Sequence, residues 1–202
     1  YIMTLKTDNR LHSLDFIRGI SLISMILFHT AWDLSYIYNV KILQTMGIYA
    51  YIWQQSICIT FILLSGFCFS LSKNGLKRGI TVFIAGGIVT AVTLIFMRQS
   101  AVVFGILTFI GSAMLICSLL KKSLSKLNPA VFLTISLLLF ILTKDINKGN
   151  LGFYGLRFLN IPNIFYKNIF TSFLGFPDSS FSSTDYFSLF PWFFLFLSGY
   201  FL

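Results

Sequence analysis

Ile17-Arg18-Gly19-Ile20-Ser21-Leu22-Ile23-Ser24-Met25-Ile26-Leu27-Phe28-His29-Thr30-Ala31-Trp32-Asp33 is the stretch that decides the fold. The apolar run continues to Tyr36 and reaches the roughly 20 residues that a membrane-spanning helix needs. It nevertheless contains Arg18 and His29. An ionisable group near the centre of a membrane helix costs about 2.5–3.5 kcal/mol on insertion scales, so such residues usually face a protein interior or a water-filled site. Eleven steps of about 100° return to within roughly 20° of the start, which puts Arg18 and His29 on one helix face about 16 Å apart along the axis. Leu22 and Met25 lie between them, and Asp33 follows one turn beyond His29. This column of cation, imidazole and carboxylate is expected to face a central cavity rather than lipid.

The rest of the chain repeats the apolar theme. Of 202 residues, 56% are hydrophobic and 10% charged, with a mean hydropathy of +0.84. Soluble domains carry about 25% charged residues, so the composition predicts an all-α, multi-pass transmembrane helix bundle of about six or seven helices. Six apolar segments stand out, near Ile17–Tyr36, Trp53–Leu71, Ile80–Met97, Ala101–Leu120, Ala130–Leu142 and Phe187–Leu202. The fifth is short and is expected to extend back through Leu127. The sixth runs into Leu202 without a polar stop, so the expectation is one domain over residues 1–202 that is truncated at its C-terminal side. The first segment has no small-x-small cleavage site after it and reads as a membrane anchor, not a signal peptide.

The formal net charge is +9, and all six acids are Asp. Nucleic-acid binding needs a continuous basic face, whereas here the cations sit in short loops between apolar runs. Lys6 and Arg10 precede the first segment, Lys73, Lys77 and Arg78 follow the second, and Lys121, Lys122 and Lys126 follow the fourth. The positive-inside rule then places the N-terminus in the cytoplasm of a cell-membrane protein. Lys144, Lys148, Arg157 and Lys167 in the long connection vote the other way. That connection, 143–186, is too long for a simple helix hairpin. Within it, residues 165–170 read as a short amphipathic or re-entrant helix, and Gly175-Phe176-Pro177-Asp178 as a turn. Cys58, Cys68 and Cys117 have metal-site spacing neither with each other nor with a His, so they read as packing residues and no metal is expected.

Four stretches carry a resemblance. Leu14-Asp15-Phe16-Ile17-Arg18-Gly19-Ile20 with the Arg-x10-His spacing, Phe61-Ile62-Leu63-Leu64-Ser65-Gly66-Phe67, Phe104-Gly105-Ile106-Leu107, and Asp185-Tyr186-Phe187-Ser188-Leu189-Phe190-Pro191-Trp192 occur in that order. Together they resemble the small bacterial membrane acyltransferases related to the catalytic domain of heparan-alpha-glucosaminide N-acetyltransferase. The resemblance implies acetyl transfer from cytoplasmic acetyl-CoA to an amino-sugar or envelope-glycan acceptor on the far side, with His29 as the essential residue. The implied partners are the bilayer, acetyl-CoA and the sugar acceptor, with self-association left open. Thr108 stands where many relatives carry a second His, and Ser188 where they often carry Pro.

Each candidate also has a plainer role. His29 suits a base that takes a proton from an acceptor near neutral pH, or an interhelical hydrogen bond. The other histidine, His12, belongs to the polar N-terminal segment and reads as solvated. Asp33 lies within i,i+4 reach of His29 and either orients the imidazole, as in a triad, or is a hydrated helix end. Arg18 pairs with the phosphate or pantetheine end of CoA, snorkels to headgroups, or pairs with Asp15. Asp185 is a candidate for the acceptor side, or a cap of the sixth helix. Ser65-Gly66 and Gly86-Gly87 read as sites of close helix packing. Two other functions remain: a permease or ion-coupled transporter in which His29 and Asp33 relay protons, and an assembly subunit whose polar residues only lock helices together.

Overall fold

The computed structural model describes residues 12–153 and 155–202; Lys6, Arg10 and the His12 side chain lie outside the described residues. As predicted, the fold is all-α. Eight α-helices are described: α1 (His12–Tyr36), α2 (Ile42–Met46), α3 (Ile48–Ser70), α4 (Gly75–Phe96), α5 (Ile106–Leu124), α6 (Pro129–Thr143), α7 (Ile169–Leu174) and α8 (Leu189–Phe201). Among the described residues, five helical stretches (α1, α3, α4, α5, and α6 with its continuation to Lys148) are long and apolar enough to cross a membrane. At 13 residues, α8 is shorter. The chain divides inside α3 into two compact units, one up to Leu64 and one from Ser65 to Leu202.

In the first unit, α1 packs through small and hydroxylated residues. Ser21, Phe28, Ala31 and Ser35 are buried and Ser24 is half-buried, a spacing of three and four residues that forms one stripe on a helix. Phe28 and Ala31 join Leu43 of α2 with Ala50 and Ile57 of α3 in a common core. Two polar links fix the register. Trp53 Nε1 donates to Ser24 Oγ at 2.8 Å, and the Leu43 amide donates to Ser35 Oγ at 3.1 Å. The Trp53 ring meets Phe28 edge-on at 5.2 Å. In hydrocarbon a lone polar atom is costly, so hydroxyls and indole nitrogens pair across helices.

In the second unit, α4 and α5 run antiparallel at close range. A Cβ on Gly86 would lie 2.5 Å from the Thr108 amide, and one on Gly111 2.5 Å from the Phe83 amide. Small residues at such positions let backbones approach until dispersion contacts fill the gap. Gly87, one residue along, faces open space. The close-packing reading of Gly86-Gly87 therefore holds for Gly86 alone. Gly66 packs the same way against the backbone of Phe196 and Tyr200 in α8. Helices α6 and α8 are antiparallel, with ring pairs Phe132–Phe201 and Phe140–Trp192 each 5.7 Å apart. Leu195, Phe196 and Ser198 of α8 are almost fully buried. Thr90, Ser112, Thr134 and Ser198 turn their hydroxyls onto carbonyls four residues back, which satisfies them within their own helix.

The long connection is more ordered than a single short helix. It opens with an antiparallel hairpin, β1 (Asn150–Phe153) and β2 (Leu156–Asn160), with a register irregularity at Leu151/Gly152. Asp145, only 4% exposed, fastens that hairpin to the end of α6. Its Oδ2 accepts from the Gly155 amide at 2.9 Å, its Oδ1 from Lys148 Nζ at 2.8 Å, and its own amide donates to Gly152 O at 3.1 Å. The expected helix over 165–170 is displaced. A 3-10 turn covers Asn163–Phe165, and α7 begins at Ile169 because Asn168 and Thr171 form a reciprocal capping box there. Gly175, at φ +132°, ends α7 as the turn reading requires.

Candidate functional site

The α1 column lies off the packing stripe. Arg18, Leu22, His29 and Asp33 are exposed and Met25 is half-buried, whereas the buried stripe runs Ser21–Phe28–Ala31–Ser35. Within the first unit Met25 packs against the core, whereas Arg18, Leu22, His29 and Asp33 stay exposed. His29 sits beside the stripe, its ring 6.2 Å from that of Phe28 in an edge-on arrangement. Among the described residues no hydrogen bond joins His29 to Asp33, although one turn separates them on the same face. Arg18 Nη1 donates to Asp15 Oδ1 at 2.7 Å, with both side chains about half exposed. This is the helix-start pairing that the sequence allows. An exposed pair of this kind contributes at most about 1 kcal/mol, so it positions Arg18 without locking it.

Asp185 belongs to a different construction, in the second unit. Its Oδ2 accepts from the Ile106 amide at 3.1 Å, so it caps α5 and not the helix that follows it in sequence. The first amides of a helix have no intrahelical acceptor and carry partial positive charge, and a carboxylate there satisfies both needs. Gly105 occupies the N-cap position of α5 with no side chain to do this itself. The neighbouring backbone is stitched as well: Thr184 N to Ala101 O at 3.1 Å and Phe187 N to Phe104 O at 2.9 Å. Val103 N donates to Ser183 Oγ at 2.9 Å. Two of the four sequence motifs, some 80 residues apart, are therefore one structural object.

Tyr186 and Ser188 extend this object toward the hairpin. The Tyr186 hydroxyl donates to Ser172 O, and burial pushes its pKa up to about 12, with a Ser188 hydrogen bond opposing the shift. Ser188 Oγ is linked to Asn147 Oδ1 at 3.1 Å. Thr108 is buried against Gly86 at the α4–α5 crossing. Its environment is a helix contact.

The motifs and their pairing can now be set beside known families. Residues 10–202 match the model of the heparan-alpha-glucosaminide N-acetyltransferase catalytic domain. The chain belongs to that family. No curated protein and no solved structure matches it. Membership in the heparan-alpha-glucosaminide N-acetyltransferase catalytic family brings N-acetyltransferase chemistry to a chain of apolar, membrane-length helices. Sequence reasoning missed Asp145, Ser24 with Trp53, and the partner of Asp185. Only Asp145 left a trace, as the one acid between Asp33 and Asp178.

Proposed function

We propose that the protein is an integral-membrane acetyltransferase that moves the acetyl group of acetyl-CoA to an amino-sugar or envelope-glycan acceptor, with His29 as general base or acyl carrier. The observation that carries this is the placement of His29. In a chain of this family, the imidazole stands on a membrane helix beside, and not within, the stripe through which that helix packs. Packing therefore gives no account of why an ionisable ring is kept there at an energetic cost.

The chemistry follows from the residue types. An amine or hydroxyl acceptor must lose a proton as it attacks the thioester carbonyl, and imidazole exchanges protons near neutral pH. Alternatively the ring nitrogen attacks first and hands the acetyl group on; both routes need the same exposed ring. Asp33, one turn further, serves by orienting and polarising that ring when the two meet. Arg18 is assigned to the phosphate or pantetheine end of acetyl-CoA, where its planar fork suits an anion that displaces Asp15. Asp185 is assigned to the acceptor side as a positioning residue, acting through the α5 terminus that it caps. The N-terminus and the loops holding Lys73–Arg78 and Lys121–Lys126 are placed in the cytoplasm, where the donor is found.

The test is release of CoA thiol from acetyl-CoA by purified protein in lipid nanodiscs, with and without glucosamine as acceptor. Acceptor-stimulated release supports the assignment. Protein that neither binds nor turns over acetyl-CoA, yet moves protons across vesicles, would replace it with the transporter reading.

A further inference from the structure

The second half of the long connection, from Phe173 on, packs its aromatic rings on one another and on Phe104 at the entry to α5. Phe104 lies 5.2 Å from Phe173 and 5.9 Å from Phe181, and Phe181 lies 4.9 Å from Tyr186. In the first half Phe165 and Tyr166 pack on Phe176, with ring centroids 5.7 and 5.5 Å away, but most other large apolar side chains there stay exposed. Leu156, Phe158, Leu159, Ile164, Ile169 and Phe170 are each 60–66% exposed, and every residue of β2 is exposed. A chain that packs aromatic side chains a few residues later has not run out of partners. It presents this apolar set outward. Large apolar side chains left exposed together in one short stretch of chain mark an interaction site.

Two features identify what covers it. First, the membrane boundary is close by. Lys144 Nζ sits 3.7 Å above the Trp192 ring and 5.3 Å from that of Phe140. Trp192 is itself buried and takes the lysine as a cation–π partner; a lysine stem laid along apolar rings with its ammonium at the end of a span suits the membrane–water boundary. The apolar span holding Lys144 ends at Lys148, and β1 begins at Asn150, so the hairpin leaves the bilayer at headgroup level. Second, the surface is cationic. Between Asp145 and Asp178 there is no acid, while Lys148, Arg157 and Lys167 are present; Asp145 itself is taken up by Lys148 and Gly155. Apolar residues interleaved with cations are the composition of segments lying in the plane of the interface, held by apolar burial and by anionic headgroups.

We infer that residues 156–170, the β2 strand and the start of α7, form an in-plane membrane anchor that sinks its apolar side chains into the headgroup–acyl boundary and sets Arg157 and Lys167 against anionic lipid phosphates. The anchor is independent of the acetyl-transfer assignment. It ties the polar cluster around Asp145 and Ser188 to the bilayer surface through Asp145 and the capping box of α7.

The test uses full-length protein in vesicles, with Cys58, Cys68 and Cys117 replaced by alanine and a nitroxide placed at residue 158, 170 or 180. Power-saturation EPR compares collisions with oxygen, which partitions into lipid, and with a nickel chelate, which stays in water. Labels at 158 and 170 are expected to report a depth of about 5–10 Å below the phosphates, while the label at exposed Ser180 reports water. The depth at 158 is expected to increase when phosphatidylglycerol is added to phosphatidylcholine vesicles, and R157E/K167E is expected to abolish that increase. Free access of the nickel chelate at 158 and 170 overturns the proposal. So does exclusion of both reagents with dipolar broadening, which identifies a second copy as the occupant. Equal depth in the two lipid mixtures overturns the anionic-phosphate assignment.

Discussion

Replacing Asp185 by alanine separates a capping carboxylate from one that binds acceptor. In the structure half-buried Asp185 accepts the Ile106 amide at 3.1 Å at the head of a 19-residue helix. Loss of a cap costs roughly 0.5–2 kcal/mol, a hydrogen bond to a charged group is worth about 1.5–3 kcal/mol, and the helix-end charge effect about 0.3–1 kcal/mol. These describe one interaction and do not add, so D185A is expected to lose about 2 kcal/mol. For a chain of this length that is a fall of about 4–8 °C in Tm. The bonds from Thr184 to Ala101 and from Phe187 to Phe104 remain, so the fold survives. D185N keeps an acceptor without the charge and is expected to lose about half as much. G105A supplies an independent check, since its Cβ would lie 2.9 Å from Asp185 Oδ2 and 2.7 Å from Val102 Cγ1. It pushes the carboxylate away, so the G105A/D185A double variant is expected to lose less than the sum of the singles. Thermal unfolding in detergent, read by tryptophan fluorescence, gives the stabilities, and acceptor KM is measured alongside. A D185A protein with wild-type Tm and a collapsed acceptor KM would refute the capping argument, as would strictly additive losses.

Other outcomes follow from single contacts. G86A is expected to cost about 1–3 kcal/mol by overpacking against Thr108, whereas G87A, facing open space, is expected to be neutral or to gain up to about 1 kcal/mol of helix propensity; Tm of the two neighbours decides. Both W53F and S24A remove the 2.8 Å Trp53–Ser24 bond and are expected to lose about 0.6–1 kcal/mol each, with little further loss in the double variant. Tyr186 has its pKa raised by burial to about 12 from an ordinary value near 10. The folded state therefore favours the neutral phenol; the stabilisation is complete below pH 10 and is lost as pH rises from 10 through about 12. Y186F is expected to flatten stability against pH in that window, as read by alkaline denaturation.

What was legible in the sequence was set by how local its cause is. The Ala130–Leu142 segment is found almost unchanged as α6 (Pro129–Thr143), because Asn128 caps it by accepting from the Ala130 and Val131 amides and Pro129 fits its first turn. That same cap stops it from reaching back to Leu127. The Ala101–Leu120 segment instead starts at Ile106, since residues 101–105 are held non-helical by partners at 183–187 that no local pattern announces. The Trp53–Leu71 segment starts earlier, at Ile48. The hairpin was missed because β2 is exposed on both faces and offers no alternation of burial. At the site, Arg18, His29 and Asp33 share a helix face by spacing alone, so their column could be read from residue numbers. The packing stripe beside it could not, because Ser21, Ser24 and Ser35 acquire meaning only through Leu43 and Trp53.

The central claim is that His29 performs the acetyl transfer, and the direct measurement is the transfer rate of the H29A protein in nanodiscs with radiolabelled acetyl-CoA, alongside equilibrium binding of acetyl-CoA. Removing a general base typically lowers the rate by about 10²–10⁴-fold. The ring is exposed and off the packing stripe, so Tm and acetyl-CoA affinity are expected to stay near wild type while transfer falls by that factor. Transfer at the wild-type rate in folded H29A protein would contradict the account.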